Sequence, residues 1–197
     1  MTRPPLSERR RTHTRREIAE SAVTLFARDG YDNVSVEDIS EEAGISLRTF
    51  YRYFSAKDEV LSPIVTQATE DLLDHIARRP AAEDLAEAVE HAYRQISPPT
   101  DRVQALIRLF IDVPALQARW LNDLRALEAA LVPVVRQRTL ASDHDAHLSA
   151  AVIVTALRVT LEQSTRDKSA EPLADTLSRA LRYLRNGARL YTHSART

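Results

Sequence analysis

Residues 30–57 read GYDNVSVEDISEEAGISLRTFYRYFSAK, and this stretch decides the fold. Gly30 closes an amphipathic run, Arg15 to Asp29, in which Ile18, Ala19, Ala22, Val23, Leu25 and Phe26 recur at helical spacing. A glycine in that place supplies the positive φ that ends a helix. Ser35-Val36-Glu37-Asp38 then opens a second helix as a capping box, with Ser35 as cap and Asp38 reaching back. Val36, Ile39 and Ala43 supply its inner face, and Gly44 stops it after about two turns. A third helix starts at once with Ser46 as N-cap and turns Phe50 and Phe54 inward. Ser55-Ala56-Lys57-Asp58 repeats the capping pattern and is expected to start a fourth, longer helix. Two short helices joined by a tight glycine-containing turn are the pattern of a helix-turn-helix.

Outward from this core, the expectation is helix to the end. Breaks fall at Arg79-Pro80, Ser97-Pro98-Pro99-Thr100, Val113-Pro114, Ala141 to Asp145 and Ser169 to Pro172. They leave helical segments near 57–78, 83–96, 101–112, 115–140, 145–165 and 172–192, with Pro133 expected to kink or shorten the fourth of them. The fold class is therefore all-α: a three-helix DNA-binding domain followed by a helical ligand-binding and dimerisation domain, about nine helices in total. The boundaries expected are 1–55 and 56–197, with 1–13 a flexible basic tail.

Composition narrows the function. Charged residues are 28% and hydrophobic ones 44%, which is a globular balance. Three glycines, all far apart, exclude a Gly-rich phosphate loop, a dinucleotide fingerprint and a nucleophile elbow. With no cysteine there is no thiol nucleophile, no Cys-ligated zinc and no disulfide. Leu148 to Leu161, the longest apolar-rich stretch, is broken by Arg158 and is shorter than the ~20 residues a bilayer requires. No signal-peptide core follows the N-terminal arginines. A cytoplasmic protein without membrane association is expected.

The net charge of −1 conceals strong local patterning. Residues 1–16 carry six arginines and one acid, Glu8. Asp29 to Glu42 carries six acids and no base, whereas Ser46 to Lys57 carries Arg48, Arg52 and Lys57 and no acid. Localised basic patches, not the total, make the footprint of a DNA binder.

The same residues carry a family resemblance. Gly30-Tyr31, Val34 to Ile39, Ala43-Gly44-Ile45-Ser46 and Thr49 to Lys57 resemble the tetracycline-repressor-like (TetR) family over roughly residues 14–61. Many members carry His at the place of Tyr53 and Thr at that of Val34. The resemblance implies a regulator that binds a palindromic DNA operator as a homodimer and takes a small-molecule effector. Repression relieved by ligand is the family default, although residues alone do not fix the sign of regulation.

Resemblance and physics both make the third helix the reader. Arg48 sits in the first turn of its helix, and Lys57 is expected in the first turn of the next; a cation is disfavoured there by ~0.3–1 kcal/mol. Two cations so placed suggest an external anion. Arg48 is the base reader, since a guanidinium can bond guanine O6 and N7 together. Leu47 and Thr49 suit a thymine methyl. Lys57 and Tyr51 are assigned to phosphate, with Ser35 donating to it from a helix N-terminus and Tyr53 as a further candidate, and Ser46 stands at the N-terminus of the reading helix. The Arg9 to Arg16 segment either enters a minor groove, neutralises phosphate or makes no contact.

For dimerisation, Val152, Ala156 and Val159 lie on a helix apolar nearly all round, which must be buried on every side. Leu177, Leu181 and Leu184 give a second stripe. For ligand binding, Phe110 and Trp120 are the large apolar candidates, and Arg108 and Arg158 interrupt apolar runs where they meet either an anionic ligand group or a salt bridge. A lipophilic or acyl-CoA-like effector is implied by the resemblance alone. Asp143-His144-Asp145-His147, with Ser142 as cap, reads as a helix start and not as a metal site; no cofactor is expected. Two other classes compete. An all-α di-iron enzyme requires Glu-x-x-His, and none of the six histidines has Glu three residues before it. A ligand-independent DNA-binding regulator would share the first sixty residues.

Overall fold

A computed structural model describes residues 5–96, 101–139, 141–166 and 173–185. Among these there are nine α-helices, one 3₁₀ turn and no strand. In chain order the helices are α1 (Leu6–Asp29), α2 (Val36–Glu42), α3 (Leu47–Tyr53), α4 (Ser62–Arg78), α5 (Leu85–Ile96), α6 (Asp101–Asp112), α7 (Pro114–Thr139), α8 (Asp143–Arg166) and α9 (Leu173–Arg185). The 3₁₀ turn, η1 (Lys57–Glu59), lies between α3 and α4. No helix of the described residues is long and apolar enough to cross a membrane.

The contacts divide the chain into two compact units, the described residues of Met1–Asp71 with Thr100–Leu127, and those of Leu72–Pro99 with Glu128–Thr197. This division follows a different line from a boundary at 55/56. In the first unit, α6 packs on α1, and Arg119 of α7 pairs with Glu59 of η1 at 3.0 Å. The described residues of 56–71 and 100–127, from the domain expected to sense ligand and dimerise, are thus part of the same compact unit as the helix-turn-helix.

The core of the first unit is built from the stripe the sequence displays. Ile18, Ala19, Ala22, Val23, Leu25 and Phe26 of α1 are all buried, together with Val34, Ile39, Phe50, Phe54, Val60 and Leu61. Gly30 and Gly44 adopt φ of 82° and 64°. A Cβ at Gly44 would meet nothing within 4 Å, so glycine is required there by the backbone angle alone. The Ser35–Asp38 capping box is formed, and Ser46 caps α3.

Two boundaries differ from the sequence reading. The first helix begins at Leu6, so the segment expected as a flexible tail is helical from there. Leu6 to Glu17 lack buried residues, and a helix that buries nothing shows no apolar period. The fourth helix begins at Ser62 instead of near 57. The Ser55 N–H is taken by the Glu59 carboxylate at 2.8 Å, one residue beyond the expected partner Asp58, and the chain makes a 3₁₀ turn before α4 starts. Pro133 lies inside α7 without ending it.

The second unit packs α9 against both α5 and α8. Arg138, in the last turn of α7, fastens the end of α4. Its Nη1 donates to the carbonyls of Ile76 and Arg79 at 3.2 and 3.0 Å, and its Nη2 to those of Pro80 and Glu83 at 2.8 and 3.3 Å. Of these four acceptors, the Ile76 and Pro80 carbonyls also take backbone N–H groups, those of Arg79 at 3.2 Å and Glu83 at 3.1 Å.

Candidate nucleic-acid interface

The reading helix is short, seven residues, and amphipathic in a simple way. Phe50 is fully buried, edge-on to Tyr51 at 5.6 Å and tilted against Phe54 at 5.4 Å. This anchor turns Leu47, Arg48, Tyr51 and Arg52 outward. At about 100° per residue these four positions share one face. Leu47 is 38% exposed and Tyr51 53%, unusual for large apolar side chains without a partner. The Arg48 guanidinium has no hydrogen bond or ion pair among the described residues.

Arg52 was not singled out by the sequence, and the signal was available: it follows Arg48 by four residues and so stands one turn above it. Its guanidinium lies 5.0 Å from the centroid of the Tyr53 ring, which leaves Tyr53 half-buried beneath it. Thr49 is half-buried, its hydroxyl 2.9 Å from that of Ser46, whose oxygen accepts the Thr49 N–H. Ser46 and Thr49 therefore share the cap of α3 and face the same end as Arg48.

Two assigned phosphate donors are engaged inside the protein. The Ser35 hydroxyl donates to the Asp38 carboxylate at 2.6 Å and its oxygen accepts the Asp38 N–H at 3.0 Å. Those bonds, from the hydroxyl first and the Ser35 N–H second, hold the Asp38 carboxyl below the usual carboxylate range. Ser35 is thus a cap with its proton committed. Lys57 lies in η1, not in a helix, and its ammonium points at two backbone carbonyls. Arg48 thus remains a cation in the first turn of an α-helix, whereas Lys57 opens only a three-residue 3₁₀ turn.

The basic extension of α1 carries further exposed cations. Arg9, Arg10 and Arg11 are exposed and have no partner among the described residues. Arg15 stacks over the Phe54 ring at 5.0 Å, and Arg16 donates to Gln67 at 3.4 Å. The acids of α2 are exposed.

With this geometry in hand, comparison with known proteins is decisive. The family model described as bacterial regulatory proteins, tetR family, matches residues 18–63, and the MftR C-terminal domain model matches residues 79–189. The chain belongs to the TetR family. Its relatives are transcriptional regulators, not enzymes. TcmR of Streptomyces glaucescens is 29% identical over 148 residues, covering 68% of this chain and 64% of that one. The putative mycofactocin biosynthesis transcriptional regulator MftR of Mycobacterium tuberculosis is 35% identical over 115 residues, covering 56% and 58%. These matches span less than two thirds of each of those relatives. Among solved structures, Thermus thermophilus FadR in complex with lauroyl-CoA aligns with a TM-score of 0.64 at 21% identity, over 93% of this chain and 99% of that one. FadR of Bacillus halodurans aligns with 0.62 at 18%, over 96% and 99%. Both likenesses are of fold.

The remaining candidates of this TetR-family chain divide by unit. In the first, Phe110 and Trp120 are buried and stacked, centroids 6.4 Å apart at 25°, while Arg108 is exposed. In the second, Arg158 is paired with Glu162 at 2.6 Å, one turn away on α8. Of the dimer candidates, Val152 and Val159 are 41% and 40% exposed, on the same face as exposed Leu148. Ala156, Leu177 and Leu181 are buried within their own unit, because α9 packs on α5 and α8. The Leu184 side chain lies outside the described residues. A groove of about 320 Å³ beside the exposed stripe is lined by Asp84, Leu85, Ala86, Leu148, Ser149, Val152, Ile153 and Leu181. At residues 142–147 the Ser142 hydroxyl donates to Asp145 at 2.6 Å, Asp143 pairs with Arg136 at 2.8 Å, and His147 Nδ1 lies 2.7 Å from the Asp143 carbonyl. That is a capped helix start.

Proposed function

We propose that this chain binds a palindromic operator as a homodimer, reads it with Leu47, Arg48, Thr49, Tyr51 and Arg52, and is released by a lipophilic acyl-CoA-like effector, so acting as a cytoplasmic repressor. The observation that carries the reading is the single outward face of α3. It presents two arginines without acids beside them and two large apolar groups, on a helix anchored by buried Phe50. Such a face suits a major groove, where guanidinium groups meet guanine and apolar groups meet thymine methyls. Ser46 and Tyr53 border it. The helical extension of α1 adds phosphate attraction from outside the groove: a helix about 10 Å across does not enter a minor groove about 6 Å wide.

One helix-turn-helix reads few base pairs, and two-fold pairing doubles the site. The exposed stripe Leu148, Val152 and Val159 supplies an apolar surface for it. The effector reading is supported by the FadR neighbour, solved in complex with lauroyl-CoA, and by the aromatic pair Phe110–Trp120. Placing that pair in the same unit as α1–α3 gives ligand a short route to the reader, through the packing of α6 on α1 and the Arg119–Glu59 pair. Ligand then acts by its differential affinity for two conformations. The test is a DNA-binding titration with and without lauroyl-CoA, alongside the melting temperature. Weaker DNA binding and a raised melting temperature support the reading. Unchanged values with lauroyl-CoA and shorter and longer acyl-CoAs would remove this effector class and leave a ligand-independent regulator.

A further inference from the structure

Lys57 follows the reading helix by four residues, and its charge at an expected helix start reads as a phosphate contact. In this chain its ammonium is turned inward. Nζ donates to the carbonyl oxygens of Tyr31 and Val34, both at 2.9 Å, and lies 4.0 Å from the centroid of the Tyr31 ring. An ammonium has three donors, and two are committed to backbone. The surroundings oppose an anion as well. The Tyr31 phenol is pushed up first by burial and then by the nearby carboxylates of Asp58 and Asp32. A phosphate brought to this ammonium would meet two acids and would have to draw the cation off an aromatic face.

The two carbonyls belong to the turn between α1 and α2, and Val34 is buried there against the core. Lys57 opens η1, the turn that leaves α3. One side chain therefore joins the segment just before the helix-turn-helix to the segment just after it. Removing it frees the exit of α3 without changing any group on the outward face.

We infer that Lys57 is a positioning residue for operator reading and not a phosphate contact: its ammonium clamps the Tyr31 and Val34 carbonyls and so fixes how α3 is presented. The inference rests on α3 being the reader. It separates cleanly from both alternatives by what each does to specific binding, nonspecific binding and salt dependence. A phosphate contact contributes to both kinds of binding, and its loss flattens the slope of log K against log salt by about 0.9 per contact. A merely structural residue lowers the folded fraction and so weakens both kinds equally. A positioning residue affects only the binding that needs α3 seated in register.

The experiment uses full-length protein and two duplexes of equal length, one recovered by selection from a random library with the wild-type chain and one of scrambled sequence. Binding by Lys57→Met, Lys57→Gln and Lys57→Arg is measured at several salt concentrations. Expected for Met and Gln is a loss of about tenfold or more on the selected duplex, from two charge-assisted bonds. Affinity for the scrambled duplex and both salt slopes stay at wild-type values. Lys57→Arg, which can still donate to both carbonyls, recovers most of the selected-duplex affinity. Parallel losses on both duplexes with flattened slopes would make Lys57 a phosphate contact and overturn the assignment alone. Parallel losses with unchanged slopes and no rescue by Arg would reduce it to a fold residue and overturn it too. If the wild-type chain selects no duplex, the reading of α3 fails and takes this assignment with it.

Discussion

Arg48→Ala is expected to move stability and DNA recognition in opposite directions. Arg48 is the second residue of α3, beside N–H groups at the positive end of the helix. A cation there costs ~0.3–1 kcal/mol, and no hydrogen bond or ion pair among the described residues offsets it. Its side chain is exposed, so truncation opens no cavity. Removing it therefore stabilises the free protein by ~0.3–1 kcal/mol, or about 1–4 °C in melting temperature for a chain of this size. On DNA the same change removes a bidentate guanine contact whose discrimination is ~1–3 kcal/mol, roughly 5- to 150-fold at one base pair of each half-site. The assay pairs calorimetry of the free protein with affinities for a set of operators, each changed at one base pair. The reasoning is refuted if Arg48→Ala melts lower than wild type, or if its preference at every base pair matches that of wild type.

Other consequences concern the scaffold. Arg138→Leu removes the donations to Ile76, Arg79, Pro80 and Glu83, leaving a backbone N–H on the Ile76 and Pro80 carbonyls, and should cost about 1–3 kcal/mol in urea denaturation. Lys at 138 recovers only part, since it lacks the fork that spans four acceptors; a loss under about 0.5 kcal/mol for the Leu variant contradicts the clamp. Asp123 has one carboxylate oxygen that is buried without a hydrogen bond, and burial, partly countered by Arg119, raises its pKa. A raised folded value means that stability falls as pH climbs from the ordinary aspartate range through that value. Asp123→Asn should therefore melt higher than wild type at pH 7, with the advantage vanishing in acid; a lower melting temperature at pH 7 would show the carboxylate to be stabilising. Val152→Asp, on the exposed stripe of α8, should sediment as a monomer with its helical content kept, and a persistent dimer would place the interface elsewhere.

What could be read from the residues was local. Ser35 with Asp38, Ser46 with Thr49 and Ser142 with Asp145 each form the cap their spacing announces, because a capping bond spans only three residues. Pro114 and the Ser142 cap likewise separate α6, α7 and α8 close to where they end and begin, while the break at 97–100 lies outside the described residues. What could not be read depends on partners far along the chain. The exposed first turns of α1 have no apolar period to betray them. The start of α4 is set by Glu59, which the Ser55 N–H and hydroxyl, and then Arg119 sixty residues on, hold ionised below the usual carboxylate range. Lys57 resembled a free cation because the carbonyls it grips lie 23 and 26 residues earlier. An apolar stripe states that a face is buried and not against what, so Ala156, Leu177 and Leu181 pointed to a partner chain while packing within their own unit.

The central claim is that the outward face of α3 reads DNA, and footprinting tests it most directly on the duplex flanking the gene for this chain. The account predicts two protected half-sites in inverted order, centred one helical turn or a multiple of it apart. Arg48→Ala should weaken that protection while leaving the protein folded. No protection by the wild-type chain at low salt, where phosphate attraction is strongest, would contradict it.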